Sequence, residues 1–234
     1  MVVLKNLECR ISVIIPVFCE RAVINETVEA VRRLKGGGTA EIIVVDGQAE
    51  GETLAAIRDA SVHKVPSKKG RGGQLNRGAA VATGDVLLFL HADTVLPHAA
   101  FERIADAMRD EACAGGAFDL RIASPRSGFR AIETVANLRS RLTRIPYGDQ
   151  AIFIRGSCFR SIGGFKEIPI MEDVDLMRRI KRKNWRIVIF REPVITSARR
   201  WEKEGLVFGT LRNWSLMTLY LCGVSPERLA RFYR

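Results

Sequence analysis

Histidine is scarce in this chain and paired cysteine is absent. The three histidines are His63, His91 and His98, and the five cysteines, Cys9, Cys19, Cys113, Cys158 and Cys222, form no CxxC pair. A structural zinc site is thereby excluded, since it needs four such ligands at close spacing. The cysteine count is odd and the nearest two stand ten residues apart, which points to reduced thiols and not to a disulfide scaffold. Long apolar runs are also missing. Ile11 to Phe18 is only strand-length and contains Pro16, while Gly205 to Val224 carries Arg212 and Asn213 at its middle. A spanning helix needs about 20 apolar residues and tolerates a central arginine badly. Val2-Val3-Leu4 is interrupted by Lys5, too short for the apolar region of a secretory leader. There is no repeat of solenoid period and no low-complexity tract. The expectation is a soluble cytoplasmic protein, with room for peripheral association on the cytoplasmic face of a membrane.

What is present is a globular balance: 234 residues, 47% hydrophobic and 27% charged, sufficient for one large domain. The net charge of +11 is unevenly placed, with fourteen Lys/Arg against four Asp/Glu from Leu176 to Arg234. Such an end can meet the phosphates of a small molecule, anionic lipid or nucleic acid, or simply form a solvated helix face.

The first half alternates strand and helix signals. Ile11 to Ile15, Glu41 to Val45 and Val86 to Leu90 are buried-strand runs, with a weaker one from Val62 to Val65. Between them lie helical patterns at Asn25–Leu34, Thr53–Ala60 and Gln74–Ala82, and another follows from His98 to Arg109. That alternation predicts a parallel sheet with helices on both faces, whose ligands bind beyond the carboxyl ends of the strands. Glu20, Asp46 and Asp93 close three of these strands and fall on one edge. The second half is more mixed: strands at Gly115–Ile122, Gln150–Ile154 and Arg186–Phe190, helices at Phe129–Leu142 and Ile170–Lys183, and a helical tail from about Leu206.

Several constellations on this frame can carry chemistry. Asp93 suits magnesium or manganese, which take one or two carboxylates plus substrate phosphates, or else caps the following helix. Asp46 can accept hydrogen bonds from a base or ribose, or serve as a turn aspartate. The stretch from Lys68 to Gly78 is basic, glycine-rich and opens a helix, a favourable setting for phosphate, but it is no Walker A loop. Glu172, Asp173 and Asp175 crowd a helix start, where one carboxylate suffices for the helix dipole and adjacent acids suit general-base work. Arg199 and Arg200 can hold a diphosphate, or stack on Trp201 at the surface.

In their order, these pieces resemble the family-2 nucleotide-sugar glycosyltransferases. The resemblance rests on Ile14-Ile-Pro16-Val-Phe-Cys-Glu20, Ile43-Val-Val-Asp46-Gly47, Gly70-Arg71 through Asn76-Arg77-Gly78-Ala79, Phe89-Leu-His91-Ala92-Asp93 and Met171-Glu172-Asp173, and covers about residues 11 to 200. His-Ala-Asp-Thr, Pro169 to Asp175 and Ser197 to Trp201 are similar to a compact bacterial subgroup found beside radical-SAM genes.

The resemblance implies an α/β fold of GT-A type: a Rossmann-like, mostly parallel sheet flanked by helices, with a mixed acceptor-side half. One domain would cover residues 1–204, divided into a nucleotide-binding half at about 10–110 and an acceptor half at about 111–204, before a basic, partly apolar tail at 205–234. Pro16, Glu20, Asp46, Arg71, Gln74, Asn76, His91 and Ala92 would line the donor nucleotide, and Asp93 would hold Mn2+ or Mg2+. Asp149, Gln150, Arg199, Arg200 and Trp201 would face the diphosphate and acceptor, with Asp173 as catalytic base beside Glu172. The implied reaction is inverting, metal-assisted transfer of one sugar from a UDP- or GDP-sugar to an acceptor hydroxyl.

Three departures from the family pattern stand out. His91 replaces the first acid of D-x-D, Gly47-Gln48-Ala49 replaces the usual residues after Asp46, and the Q-x-x-R-W motif of processive synthases is missing; the last favours non-processive transfer. A nucleotidyltransferase would carry its glycine-rich loop directly after the first strand, where this chain has Pro16 to Glu20. A basic membrane- or nucleic-acid-binding module without catalysis would need neither Asp93 nor Glu172-Asp173. No nucleic-acid partner is expected. The tail would rest on lipid, on a second copy in a homodimer, or on the domain itself.

Overall fold

The computed structural model describes residues 9–233, without the side chains of Arg200, Leu206 and Val207. Its first half runs β1 (Ile11–Val17), α1 (Ile24–Arg33), β2 (Glu41–Asp46), α2 (Glu52–Ala56), β3 (His63–Pro66), α3 (Arg71–Val81), β4 (Val86–Phe89), a two-residue β5 (Thr94–Val95) and α4 (Ala100–Met108). The second half runs β6 (Cys113–Ala123), α5 (Gly128–Thr143), β7 (Phe153–Arg155), α6 (Gly156–Ser161), α7 (Glu172–Arg182), β8 (Arg186–Ser197), α8 (Arg199–Glu204), α9 (Leu206–Leu221) and α10 (Pro226–Ala230).

One sheet joins the described strands in the order β3-β2-β1-β4-β7-β6-β8-β5. β3, β2, β1 and β4 are mutually parallel, while β7 runs antiparallel to both neighbours. β1 therefore lies between β2 and β4, and the chain crosses to opposite sides of it. That reversal opens a crevice at the carboxyl ends of β1 and β4, where open α/β sheets bind their ligands.

Strand alternation divides the core between the two faces of the sheet. Val13, Ile15 and Val17 face one layer with Val28 and Val31 of α1 and Ile104 of α4. Ile14 faces the other with Leu75 of α3 and Val174, Met177 and Ile180 of α7. A side chain on Gly78 would place its Cβ 2.5 Å from Ile14 Cγ2 and 2.9 Å from Val45 Cγ2. Glycine at that position lets α3 lie directly on β1 and β2, so that its N-terminus reaches the crevice.

Where the structure departs from the sequence reading, the causes are local. α2 stops at Ala56, four residues short of the predicted helix end. Gln150 falls in a short 3-10 turn, Gly148–Gln150, and β7 begins only at Phe153. β8 is twelve residues long because it continues through Glu192-Pro193, which reads as a break. Phe118 pairs with Phe190 and Asp119 with Pro193, a bulge that loops out the two residues between and keeps the strand in the sheet. The tail is joined to the body: Met217 of α9 is buried in the second core layer.

Candidate active site

One side of the crevice is built where β1 and β2 end. Asp46 is fully buried at the last position of β2. Its Oδ1 accepts the Gln48 N–H at 2.9 Å, while Oδ2 is buried with no partner, as is the side-chain oxygen of Gln48. Leaving a buried acceptor unmet costs about 1–3 kcal/mol, and N–H or O–H groups of a base or ribose would satisfy both. Pro16 pairs in register with Val45 beside it. On the rim, the Lys69 ammonium lies 4.2 Å from the centre of the Phe18 ring.

Asp93 follows β4 and faces the turn after β1. Arg199, opening α8, donates to Asp93 Oδ2 at 3.2 Å and to Glu20 Oε2 at 3.4 Å. One cationic nitrogen thus already sits between two carboxylates, which is the charge arrangement a divalent ion needs. No group of three or more potential metal ligands exists among the described residues. The pair fits magnesium or manganese, which complete their shell with substrate phosphates and water. Ala92 is buried, and its carbonyl accepts a hydrogen bond from Thr27.

Beside the Asp93–Glu20 pair lies a cavity of about 200 Å³ whose lining includes Arg71, His91, Asp149, Glu172 and Asp173. Met171 takes the left-handed conformation, φ 67°, before α7 begins, and this turn delivers Glu172 and Asp173 to the cavity wall. Asp173 Oδ2 accepts the Gly148 N–H at 2.6 Å, and Oδ1 accepts the Val174 N–H at 2.7 Å. Glu172 is buried against Arg71, which donates to its Oε1 at 2.8 Å and contacts His91 through its other terminal nitrogen. Burial pushes the Glu172 carboxyl above its ordinary range, Arg71 pulls it back, and the neighbouring Asp173 adds to the rise. A Cβ on Gly148 would stand 2.2 Å from Arg71, so glycine there gives the guanidinium its path. His91, in the place of the missing first acid, is therefore turned to Arg71 and the cavity.

Other expected site residues serve the scaffold. The Gln74 amide donates to the carbonyls of Val17 and Val45 at 2.8 and 2.9 Å, tying the ends of β1 and β2 together. Asn76 exchanges two hydrogen bonds with the backbone of Phe165, both 2.8 Å, and so fixes the turn at Gly163-Gly164. Gln150 is buried and bonded to the Phe118 carbonyl and the Tyr147 N–H. Trp201 stacks edge-on against Phe129 with ring centres 6.1 Å apart. The Arg200 side chain lies outside the described residues. Tyr147, Asn213 and Tyr233 also line the cavity. Of these, Asn213 carried a signal, being a polar residue inside an apolar stretch.

The architecture and the placement of acids at the crevice are those of a GT-A glycosyltransferase. Two solved structures superpose on it: a mannosyltransferase from Pyrobaculum calidifontis in complex with GDP-Man and Mn2+ (TM-score 0.64, 19% identity, covering 80% of this chain and 56% of that one), and the glucosyl-3-phosphoglycerate synthase of Mycobacterium tuberculosis in complex with Mn2+ and UDP-Glc (TM-score 0.58, 20% identity, covering 79% and 69%). The model of Glycosyl transferase family 2 matches residues 12–167, and the chain belongs to that family. The glucosyl-3-phosphoglycerate synthase of Mycolicibacterium smegmatis is 32% identical over 100 residues, which are 39% of this chain. The matched stretch spans about a third of the length of the curated relatives it matches, 33% in that case.

Proposed function

We propose that this glycosyltransferase moves one sugar from a UDP- or GDP-sugar to an acceptor hydroxyl with inversion at the anomeric carbon, without processive elongation. The observation that carries the reading is the contact chain His91–Arg71–Glu172. It ties the turn after β4, which holds His91 and Asp93, to the start of α7, which bears Asp173, and this linkage supports reading Asp93 as metal ligand and Asp173 as base of one site.

Asp46 holds the base or ribose through its unmet oxygen. Asp93 and Glu20 would hold a divalent ion, which would supply positive charge to offset that of the departing diphosphate. Asp173 takes the proton from the acceptor hydroxyl, whose oxygen bonds to the anomeric carbon as the bond to the diphosphate breaks and its electron pair leaves with the nucleotide. Glu172 and Arg71 position α7, and Arg199 turns to the diphosphate. Support for the donor and metal comes from the two superposed enzymes, whose complexes hold nucleotide sugars and Mn2+. All five cysteines are free thiols, which supports a cytoplasmic setting.

The test is a thermal-shift screen of UDP- and GDP-sugars with and without Mn2+ on wild type and Asp93→Ala. One nucleotide is expected to stabilise the wild type by about 2.7 kcal/mol at a hundredfold excess over Kd, only when Mn2+ is present, and the shift is expected to be lost in Asp93→Ala. Indifference to every donor would overturn the reading.

A further inference from the structure

α9 is apolar on nearly every side, a property of helices that are buried all round, yet half of it faces solvent. Gly209, Leu216 and Met217 turn inward, whereas Phe208, Leu211, Trp214, Leu219 and Leu221 are exposed. At 100° per residue these five, with Ser215 and Thr218 among them, occupy one continuous arc that carries no charge. The helix's one charge, Arg212, points inward and pairs with Glu204. α5 packs beside α9 and repeats the pattern: Val135, Leu138 and Leu142 are exposed on a stripe that again has no charged member. Basic residues stand at the ends. Arg126 and Arg144 flank α5, Lys203 precedes α9, Arg228 lies on α10 and Arg231 directly follows it, all exposed, against exposed Glu202 and Glu227.

We infer that the α5–α9 face is a docking surface for an anionic lipid bilayer. An uncharged apolar face bearing tryptophan with arginines at its border is the make-up of helices that lie in the headgroup layer, and basic side chains there each gain about 1 kcal/mol from anionic lipid. No described helix is long and apolar enough to cross a membrane, so the contact is parallel to the surface. Asn213, one position before Trp214, lines the cavity from the inner side of α9, so a single helix stands between the cavity and the bilayer.

The test is co-sedimentation with vesicles of phosphatidylcholine alone or with about 30 mol% phosphatidylglycerol, without sugar nucleotide, so that the result stands apart from the catalytic reading. Wild type is expected to pellet with the anionic vesicles. Leu138→Ser/Leu142→Ser and, separately, Trp214→Ser are expected to cut the bound fraction at least about fivefold at unchanged Tm, since these side chains are exposed. Wild type remaining in the supernatant, or variants pelleting equally, would overturn the inference. So would sedimentation equilibrium showing a wild-type dimer that the double variant makes monomeric while neither binds vesicles.

Discussion

At the scale of single residues, the proposed mechanism separates groups that would act on substrate from groups that hold those groups still. Asp173→Asn keeps one of the two backbone N–H bonds that Asp173 accepts, from Gly148 or from Val174, and removes the proton acceptor. It is expected to lower kcat by about 10²–10⁴-fold while donor affinity, read by calorimetry, stays within error. Arg199 competes for the carboxylates it bridges. Arg199→Ala is expected to tighten binding of Mn2+ alone by up to about fivefold, read from free-Mn2+ electron paramagnetic resonance, and to weaken nucleotide-sugar binding in the same preparation. Asp46, Asp93 and Glu172-Asp173 were legible from sequence because each closes a strand or opens a helix, positions where a carboxylate is conspicuous. Gln74 and Asn76 sit among equally suggestive neighbours, but their partners are the backbone of Val17, Val45 and Phe165, which no local pattern displays. Tyr147 and Tyr233 reach the cavity from distant parts of the chain, so spacing could not associate them.

At the scale of elements, the seating of α3 on the sheet is the joint on which the site depends. Gly78→Ala forces a methyl group against Ile14 and Val45 and is expected to destabilise the fold by about 1–3 kcal/mol. Urea unfolding measures it, with a parallel loss of donor binding as Arg71 and Gln74 are displaced. The buried parallel strands were read correctly from their unbroken apolar runs, since both faces of those strands are covered. β8 was not, because proline signals an end and the bulge that accommodates it depends on the pairing with β6. α6, six residues long, is too short to develop an apolar period.

At the scale of the whole molecule, acid stability turns on buried carboxylates that hold one part of the chain to another. Burial pushes the Asp175 carboxyl up, but Lys166 at 3.0 Å and Arg179 at 2.6 Å hold it below its ordinary value. A lowered folded pKa contributes stability that is present above the unfolded value, about 3.9, and is lost as pH falls through the folded one. Arg179 also donates to the carbonyls of Ile162 and Gly164, both at 2.6 Å, so the pair links α7 to the turn that Asn76 fixes. Asp175→Asn is expected to cost about 1.5–3 kcal/mol at neutral pH and to flatten the fall of Tm below about pH 4, read by calorimetry across a pH series.

The neighbouring positions 213 and 214 give α9 a double allegiance. Any drift in sequence that rotates or slides the helix to admit a different acceptor also re-aims Trp214, and any change that re-aims the outer face reshapes the cavity wall at Asn213. If the cavity takes the acceptor as proposed, acceptor preference and the setting of the outer face are inherited together. Relatives that diverge in one are expected to diverge in the other, while the edge of the sheet bearing Asp46 and Asp93 varies on its own schedule.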